Sequence, residues 1–288
     1  MKDTLILIQG STKDLGLQSK AQDLAQQGNL RFRAICVAEL ENNVADDALI
    51  ARCLVGKMAD ARVILAPATV RLRSVMPMLA WHLGAGLTAD CTALDISAEG
   101  ELLQTRPAFG NSLMAAIRTI SPVQMATVRP GTFPAEKNVF CEWEEITVGE
   151  EAPQVSQLSF EPFTEGKPIT QAQIIVAGGV GIGSKEGFEK LSAFAKRIGA
   201  GIGASRGAVD AHYAPYSAQV GITGTTVCPK LYIAVGIHGA VQHISGMAGS
   251  KTVIAVNSDP KAPIFDYADY GIVGDWEMII DQIMEELS

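Results

Sequence analysis

Three short runs near the start of the chain, LILIQ (5–9), RAICVAE (33–39) and RVILAPA (62–68), most constrain its fold. Each is apolar on successive residues rather than on alternate ones, so each reads as a strand covered on both faces. Between them, LQSKAQDLAQQG and ADDALIARCLVGK space their apolar residues for helices, and RLRSVMPMLAWHLGAG gives a third helical pattern. Gly28 is expected to close the first helix in the left-handed conformation, and Pro77 to kink the third or mark a late start. Further strand-like pieces stand at CTALDIS, ELLQTRP and QMATVRPG. This β-α-β-α rhythm predicts a doubly wound, mainly parallel α/β sheet with helices on both faces.

The texture changes between about Phe140 and Thr170, a segment that is acidic, holds three prolines and lacks helical periodicity. It reads as an edge strand running into a linker, with a domain boundary near 165. A second α/β pattern follows. QIIVAGG (173–179), LYIAVG (231–236) and TVIAVN (252–257) are strands, while EGFEKLSAFAKRIG and WEMIIDQIMEEL are helices. In the first of these helices Phe188, Leu191, Phe194, Ala195 and Ile198 share one face, and Gly199 closes it. The expectation is two doubly wound α/β domains, 1–165 and 166–288, without internal repeats.

Composition narrows the function. The chain has 288 residues, 48% of them hydrophobic, enough to build sizeable cores. A net charge of −8, with Lys and Arg dispersed, argues against nucleic acid as a partner. The apolar runs are too short to span a bilayer, and MKDTLILIQG reads as a first strand rather than a signal peptide, so a cytoplasmic protein of bacterial type is expected. Five widely spaced cysteines match neither a zinc motif nor a disulfide framework and read as reduced thiols, mostly buried.

Glycine is concentrated in the second half at strand ends, in GGVGIGS (178–184), GAGIGASRG (199–207), QVGITG (219–224) and GIHGAVQH (236–243). Loops of that kind let backbone amides approach a ligand at the carboxyl edge of a sheet, and four on one domain suggest a nucleotide-sized ligand with a pyrophosphate. The familiar motifs nevertheless fail. Neither GGVGIGS nor GAGIGAS gives G-x-G-x-x-G, Ser250 interrupts the P-loop ending in GMAGSKT, and GASRG is not G-x-S-x-G. His238 and His243 stand five apart, which on a helix points them roughly 140° from each other. His82 and His212 have no metal-ligating partner at suitable spacing, so no metal is expected.

Taken together, GASRGAVDA (203–211), QVGITG (219–224), CPKLYIAVGIHGAVQHISGM (228–247) and VIAVNSDPKAPIFDYADYGIVGD (253–275) resemble the alpha subunits of electron-transfer flavoproteins in order and spacing. The resemblance spans roughly 173–276, and the N-terminal half agrees in length and α/β pattern. It implies an electron carrier rather than an enzyme, with no catalytic residues of its own and an FAD held by the C-terminal domain. The partner would be a beta subunit in a heterodimer, met through the N-terminal domain. Electrons would pass from a flavin dehydrogenase, such as an acyl-CoA dehydrogenase, to a quinone-reducing or other acceptor, without direct membrane insertion.

The resemblance also assigns residues. Ser205 and Arg206 would lie beside the flavin, where the guanidinium favours the reduced, anionic form. Gln219, Val220, Gly221, Ile222 and Thr223 would approach the N5 edge, with the Thr223 hydroxyl able to donate or accept there. His243 would turn a ring N–H to the C2 carbonyl. Gly236, His238, Gly239, Ala240, Val241 and Gln242 would bring helix N-terminal amides to the diphosphate, and Asn257 and Asp275 would contact the adenosine portion. Asp259 reads as a turn residue.

Three positions depart from the family pattern. Val180 stands where arginine is usual in Gly-Gly-Arg-Gly, His238 where serine is usual, and Ile222 where glutamine is usual. These motivate two expectations: His238 takes over phosphate contact from the missing arginine, or, alternatively, the chain is a divergent nucleotide-binding regulatory or structural subunit that has lost redox function. A stand-alone oxidoreductase finds no acid–base pair or substrate motif in support.

Overall fold

The computed structural model describes residues 2–40, 46–108, 113–135, 141–148, 159 and 168–286, which fall into two compact units, within 2–159 and 168–286. The expected linker and the boundary near 165 lie outside the described residues.

The first unit runs β1 (Thr4–Gln9), α1 (Leu15–Gln27), β2 (Arg31–Val37), α2 (Asp47–Val55), β3 (Ala61–Pro67), α3 (Leu72–Leu83) and β4 (Gly86–Cys91). It continues with β5 (Ala93–Ile96), β6 (Leu102–Ala108), β7 (Leu113–Arg118), β8 (Gln124–Val128) and β9 (Trp143–Ile146). Six strands form a parallel sheet in the order β4-β8-β3-β1-β2-β9. Alternation along the buried strands divides the core. Ile6, Ile8, Ile35 and Ile64 pack with α2 and α3 on one face, while Leu5, Leu7, Val63 and Leu65 pack with Leu17 and Leu24 of α1 on the other.

The sequence reading differs from the structure here in three places. β5, β6 and β7 form a separate antiparallel sheet rather than extending the parallel one. Gly28 keeps a φ of −83°, and Asn29 takes the left-handed turn at 47°. Asparagine tolerates that region, so the chain reverses one residue later than the glycine suggested. α3 starts five residues before Pro77 and passes through it. Pro77 and Arg73 are exposed, so the carbonyl that loses its donor one turn back faces water.

The second unit runs β10 (Ile174–Gly178), α4 (Lys185–Arg197), β11 (Gly201–Ala204), α5 (Arg206–Asp210), β12 (Leu231–Val235), α6 (Val241–Met247), β13 (Thr252–Asn257), β14 (Tyr270–Val273) and α7 (Trp276–Glu286). Its five strands are all parallel in the order β11-β10-β12-β13-β14. On one face Val176, Val235 and Val256 meet Phe188, Leu191 and Phe194 of α4 and Trp276 and Ile280 of α7. On the other, Ile175, Tyr232 and Ala255 meet Ile244 and Met247 of α6. α4 ends as expected, with Gly199 left-handed at 67°. No helix among the described residues is long and apolar enough to cross a membrane.

Leu191 is fully buried between α4 and the sheet. Leu191→Ala leaves a cavity there and should lower stability by about 2–5 kcal/mol, read as a lower urea midpoint at unchanged slope.

Candidate functional site

The carboxyl ends of β10, β11, β12 and β13 open into a cavity of about 600 Å³, within the roughly 300–1,000 Å³ typical of cofactor pockets. This is the edge at which open parallel sheets take ligands.

The glycine-rich loops around it close first on one another. Gly236 is left-handed at 62°, and its carbonyl accepts from Gly181 N–H at 3.0 Å. A side chain at Gly179 would run into that same carbonyl. Gly239, at φ 98°, lies against the backbone of Ile264. Glycine at these positions is what lets the loops after β10 and β12 and the turn at 262–267 meet backbone to backbone.

His243 on α6 is nearly fully buried and its ring is fixed at both nitrogens. Nδ1 lies 3.0 Å from the Val220 carbonyl, which can only accept, so Nδ1 carries the proton. Nε2 lies 3.0 Å from the hydroxyl of Tyr232 on β12. That phenol is fully buried, which pushes its pKa up and keeps it protonated, so it donates to the Nε2 lone pair. Burial lowers the His243 pKa to about 4, against a smaller opposing effect of the Val220 carbonyl. His243 lines the cavity, but both of its nitrogens already have partners inside the protein.

The carbonyl that His243 holds belongs to the loop after α5. Val220 N–H bonds to Ala204 at the end of β11, and Ile222 N–H bonds to Gln242 on α6, both at 2.9 Å. Within this loop the Gln219 amide donates to Thr223 Oγ1 at 2.9 Å, and the Tyr216 hydroxyl donates to the Thr223 carbonyl at 2.7 Å. A hydroxyl has one proton and two lone pairs. Gln219 takes one lone pair, so Thr223 keeps a donor and an acceptor for a ligand.

Charge at the cavity is sparse. Arg206 and Asp210 both line it and face each other across 3.4 Å on α5, exposed enough that the pair contributes about 0–1 kcal/mol. Ser205 caps α5 by accepting from Ala208 N–H at 3.2 Å. Val180 sits on the wall without charge. His238 is exposed on the wall, and its ring has no hydrogen bond or ion pair among the described residues. The backbone N–H groups from Ile237 through Gln242 likewise find no acceptor among the described residues. Gly239 within that run is buried. Buried amides normally find partners, so this row of donors is a ready-made contact for an anionic group.

All the expected site residues except Val241 and Asp275 line the cavity. Val241 begins α6 and points partly to solvent. One Asp275 oxygen accepts from the N–H groups of Glu277 and Met278, capping α7. Asn257 reaches the wall while its amide donates to the Ile237 carbonyl and accepts from Asp259 N–H. Asp259 forms the expected turn, accepting from Lys261 N–H. Sequence reasoning missed Tyr232 and Tyr216, which hold His243 and Thr223, and the lining residues Gly207, Asp210 and Ile237. Among the described residues no three His, Cys, Asp or Glu side chains cluster as a metal site would require.

A family model described as the electron transfer flavoprotein FAD-binding domain matches residues 168–248, and one described as the electron transfer flavoprotein domain matches residues 11–159. The chain is 44% identical over 243 residues to the electron transfer flavoprotein subunit alpha of Thermoanaerobacterium thermosaccharolyticum, covering 78% of this chain and 70% of that protein. It is 39% identical over 272 residues to protein FixB of Clostridium saccharobutylicum, covering 92% and 81%. With the electron transfer flavoprotein subunit alpha of Bacillus subtilis it shares 42% over 219 residues, covering 74% and 67%. Fold, cavity and these matches define an FAD-binding electron-transfer protein, a carrier rather than a catalytic enzyme. The chain belongs to the family of electron-transfer flavoprotein alpha subunits and FixB proteins. That membership does not favour the alternative of a regulatory subunit without redox function.

The buried pair gives a pH signature. His243 binds a proton more readily unfolded, at the ordinary pKa near 6.5, than folded, at about 4. Stability should therefore be full above about 6.5 and fall between there and about 4, by roughly 1 kcal/mol per pH unit. Urea titrations at several pH values check the slope. Tyr232→Phe, which leaves Nε2 without a donor, should cost about 1–3 kcal/mol at pH 7.

Proposed function

We propose that the second unit's cavity holds FAD with its diphosphate against the free amides of Ile237–Gln242 and its isoalloxazine edge against the loop at 219–223. The observation that carries this reading is that row of unclaimed N–H groups on a cavity of cofactor size. When bound, the flavin supplies the redox centre; the residues bind and tune it. Arg206 places a positive charge that favours anionic forms of the ring. Thr223, oriented by Gln219, offers both donor and acceptor to the N5 edge. Asn257 offers its remaining amide capacity to the adenosine portion. Val241 and Asp275, away from the cavity wall, are not assigned a contact.

The chain then acts as the alpha half of a heterodimer with a beta subunit, met through the N-terminal domain. Electrons arrive from a flavin dehydrogenase, for instance one acting on acyl-CoA, and leave to a quinone-reducing or other acceptor. Exposed Trp81, Met78 and Val70 on and beside α3 support such a contact in the first unit. A cytoplasmic location fits the five cysteines, none of which forms a disulfide among the described residues, although two are buried and three are half-buried rather than mostly buried. Burial pushes the Cys91 thiol up to about 12, so it stays protonated.

Copurification with the beta subunit, followed by an absorption spectrum, tests the carrier reading. A yellow complex that bleaches on reduction is expected. A colourless complex that refuses added FAD would overturn it.

His238 supplies a second test. With Val180 in place of an arginine and Arg206 opposed by Asp210, His238 is the side chain on the wall left to meet the phosphates. His238→Ser should weaken FAD binding several-fold, read by fluorescence-quenching titrations. An unchanged affinity would remove His238 from phosphate contact.

A further inference from the structure

Ile222 and Thr223 stand together at the tip of a tight turn. Gly224 N–H donates to the Gly221 carbonyl at 3.1 Å, which places those two residues at the corners. Thr225 N–H donates to the Gln219 carbonyl at 2.7 Å and Gly221 N–H to the Thr225 carbonyl at 3.2 Å, closing the base. Gly221, at φ 149°, lets the turn lie against α6, because a Cβ there would press on the Gln242 carbonyl. Ile222 N–H donates to that same carbonyl at 2.9 Å. The tip is thus fixed to the helix through its backbone. Thr223 brings a hydroxyl to it, whereas Ile222 brings only hydrocarbon.

Ile222 both lines the cavity and is 59% exposed. A side chain in that position forms part of the rim, between the cavity and the water outside. The same stretch is without charge. No side chain of residues 219–225, nor of Val241 or Gln242, is ionic. His243 behind them is neutral, with both nitrogens engaged. Arg206, elsewhere on the wall, faces Asp210.

We propose that Ile222 is a specificity-determining residue that reserves the electrons of the bound flavin for protein acceptors by closing its N5 edge to dioxygen. The inference rests on the placement of the isoalloxazine edge against 219–223 proposed above. Dioxygen takes two electrons and two protons from the reduced ring, becoming hydrogen peroxide as the ring returns to its oxidised form. The first electron makes superoxide, a small anion that needs room beside the ring and either water or a positive charge to meet it. Ile222 fills that room with hydrocarbon, and the turn supplies no cation. A protein acceptor is not hindered in this way, since an electron crosses the edge to it without any atom entering the gap.

The FAD-loaded complex with the beta subunit gives two independent readings. Sulfite adds to oxidised flavin at N5 and bleaches its colour, so its dissociation constant reports access to that atom. Stopped-flow mixing of the reduced complex with air-saturated buffer reports the oxygen reaction. Ile222→Ala should bind sulfite about tenfold more tightly and react with oxygen about tenfold faster, while Ile222→Val, which keeps the branch at Cβ, should stay within about threefold of wild type. Ferric cytochrome c, too large to enter the gap, should be reduced by Ile222→Ala at a rate that changes less than the oxygen rate. Because Ile222 is mostly exposed, neither substitution empties a core position. The proposal is overturned if either reading for Ile222→Ala stays within about twofold of wild type, or if the cytochrome rate rises by the same factor as the oxygen rate. It is also overturned if Ile222→Val reacts with oxygen as fast as Ile222→Ala. A complex that binds FAD but shows neither change removes the shield and leaves the proposed function standing; a wild-type complex that refuses FAD removes both.

Discussion

The hydrogen bond from His243 Nδ1 to the Val220 carbonyl is the contact on which the cavity wall at 219–223 depends. It joins α6 to a loop that has little regular structure of its own, and Tyr232 fixes it by occupying the other nitrogen. With Nε2 accepting from a buried phenol, the proton has one place to sit, and that place faces a carbonyl. The ring therefore acts as a strut of defined length between β12 and residue 220. Every other polar group in the loop is set from that point, including the Gln219 amide that orients Thr223. Burial makes the strut insensitive to pH near neutrality, since a charged imidazole there would have to leave water without a carboxylate to meet it.

The glycines work on the same principle at the opposite wall. A loop that carries several unclaimed N–H groups has few bonds of its own to hold its shape. Backbone-to-backbone contact with neighbouring loops supplies the missing rigidity, and the Gly181–Gly236 and Gly239–Ile264 approaches leave no room for a Cβ. The row of amides at Ile237–Gln242 is in this sense prepared in advance, so a ligand need not organise it on arrival.

Much of the fold was legible because continuous apolar runs and helical spacing are local properties. β1, β2, β3, β10, β12 and β13 all fall within a residue or two of where the apolar runs placed them. β7 was missed for the converse reason: LMAAIR has exposed residues on an edge strand, and nothing in its pattern demands cover. The site was legible as a set of loops, since glycine at strand ends points to the carboxyl edge. Its chemistry was less so. Periodicity marks Tyr232 only as an inward-facing strand residue, and no spacing rule connects it to a histidine eleven positions later on a helix. The partners of His243 were not legible, because contacts across a sheet–helix interface are set by packing. Gly28 misled differently, since its neighbour Asn29 takes the left-handed turn.

A wall with so little fixed charge would have to meet the proposed diphosphate by other means. Arg206 is opposed by Asp210, and Val180 contributes none. Backbone dipoles can carry much of that work, because N–H groups aimed at an anion stabilise it without a counter-charge of their own. They also do so without a proton to gain or lose. The two histidines then divide the remaining burden by exposure alone. His243, sealed behind Tyr232 and Val220, preserves geometry, whereas His238 is open to solvent and to a ligand. A cavity built in this way holds its shape across neutral pH without drawing on a fixed charge at the amide row. An arginine at position 180 would add such a charge.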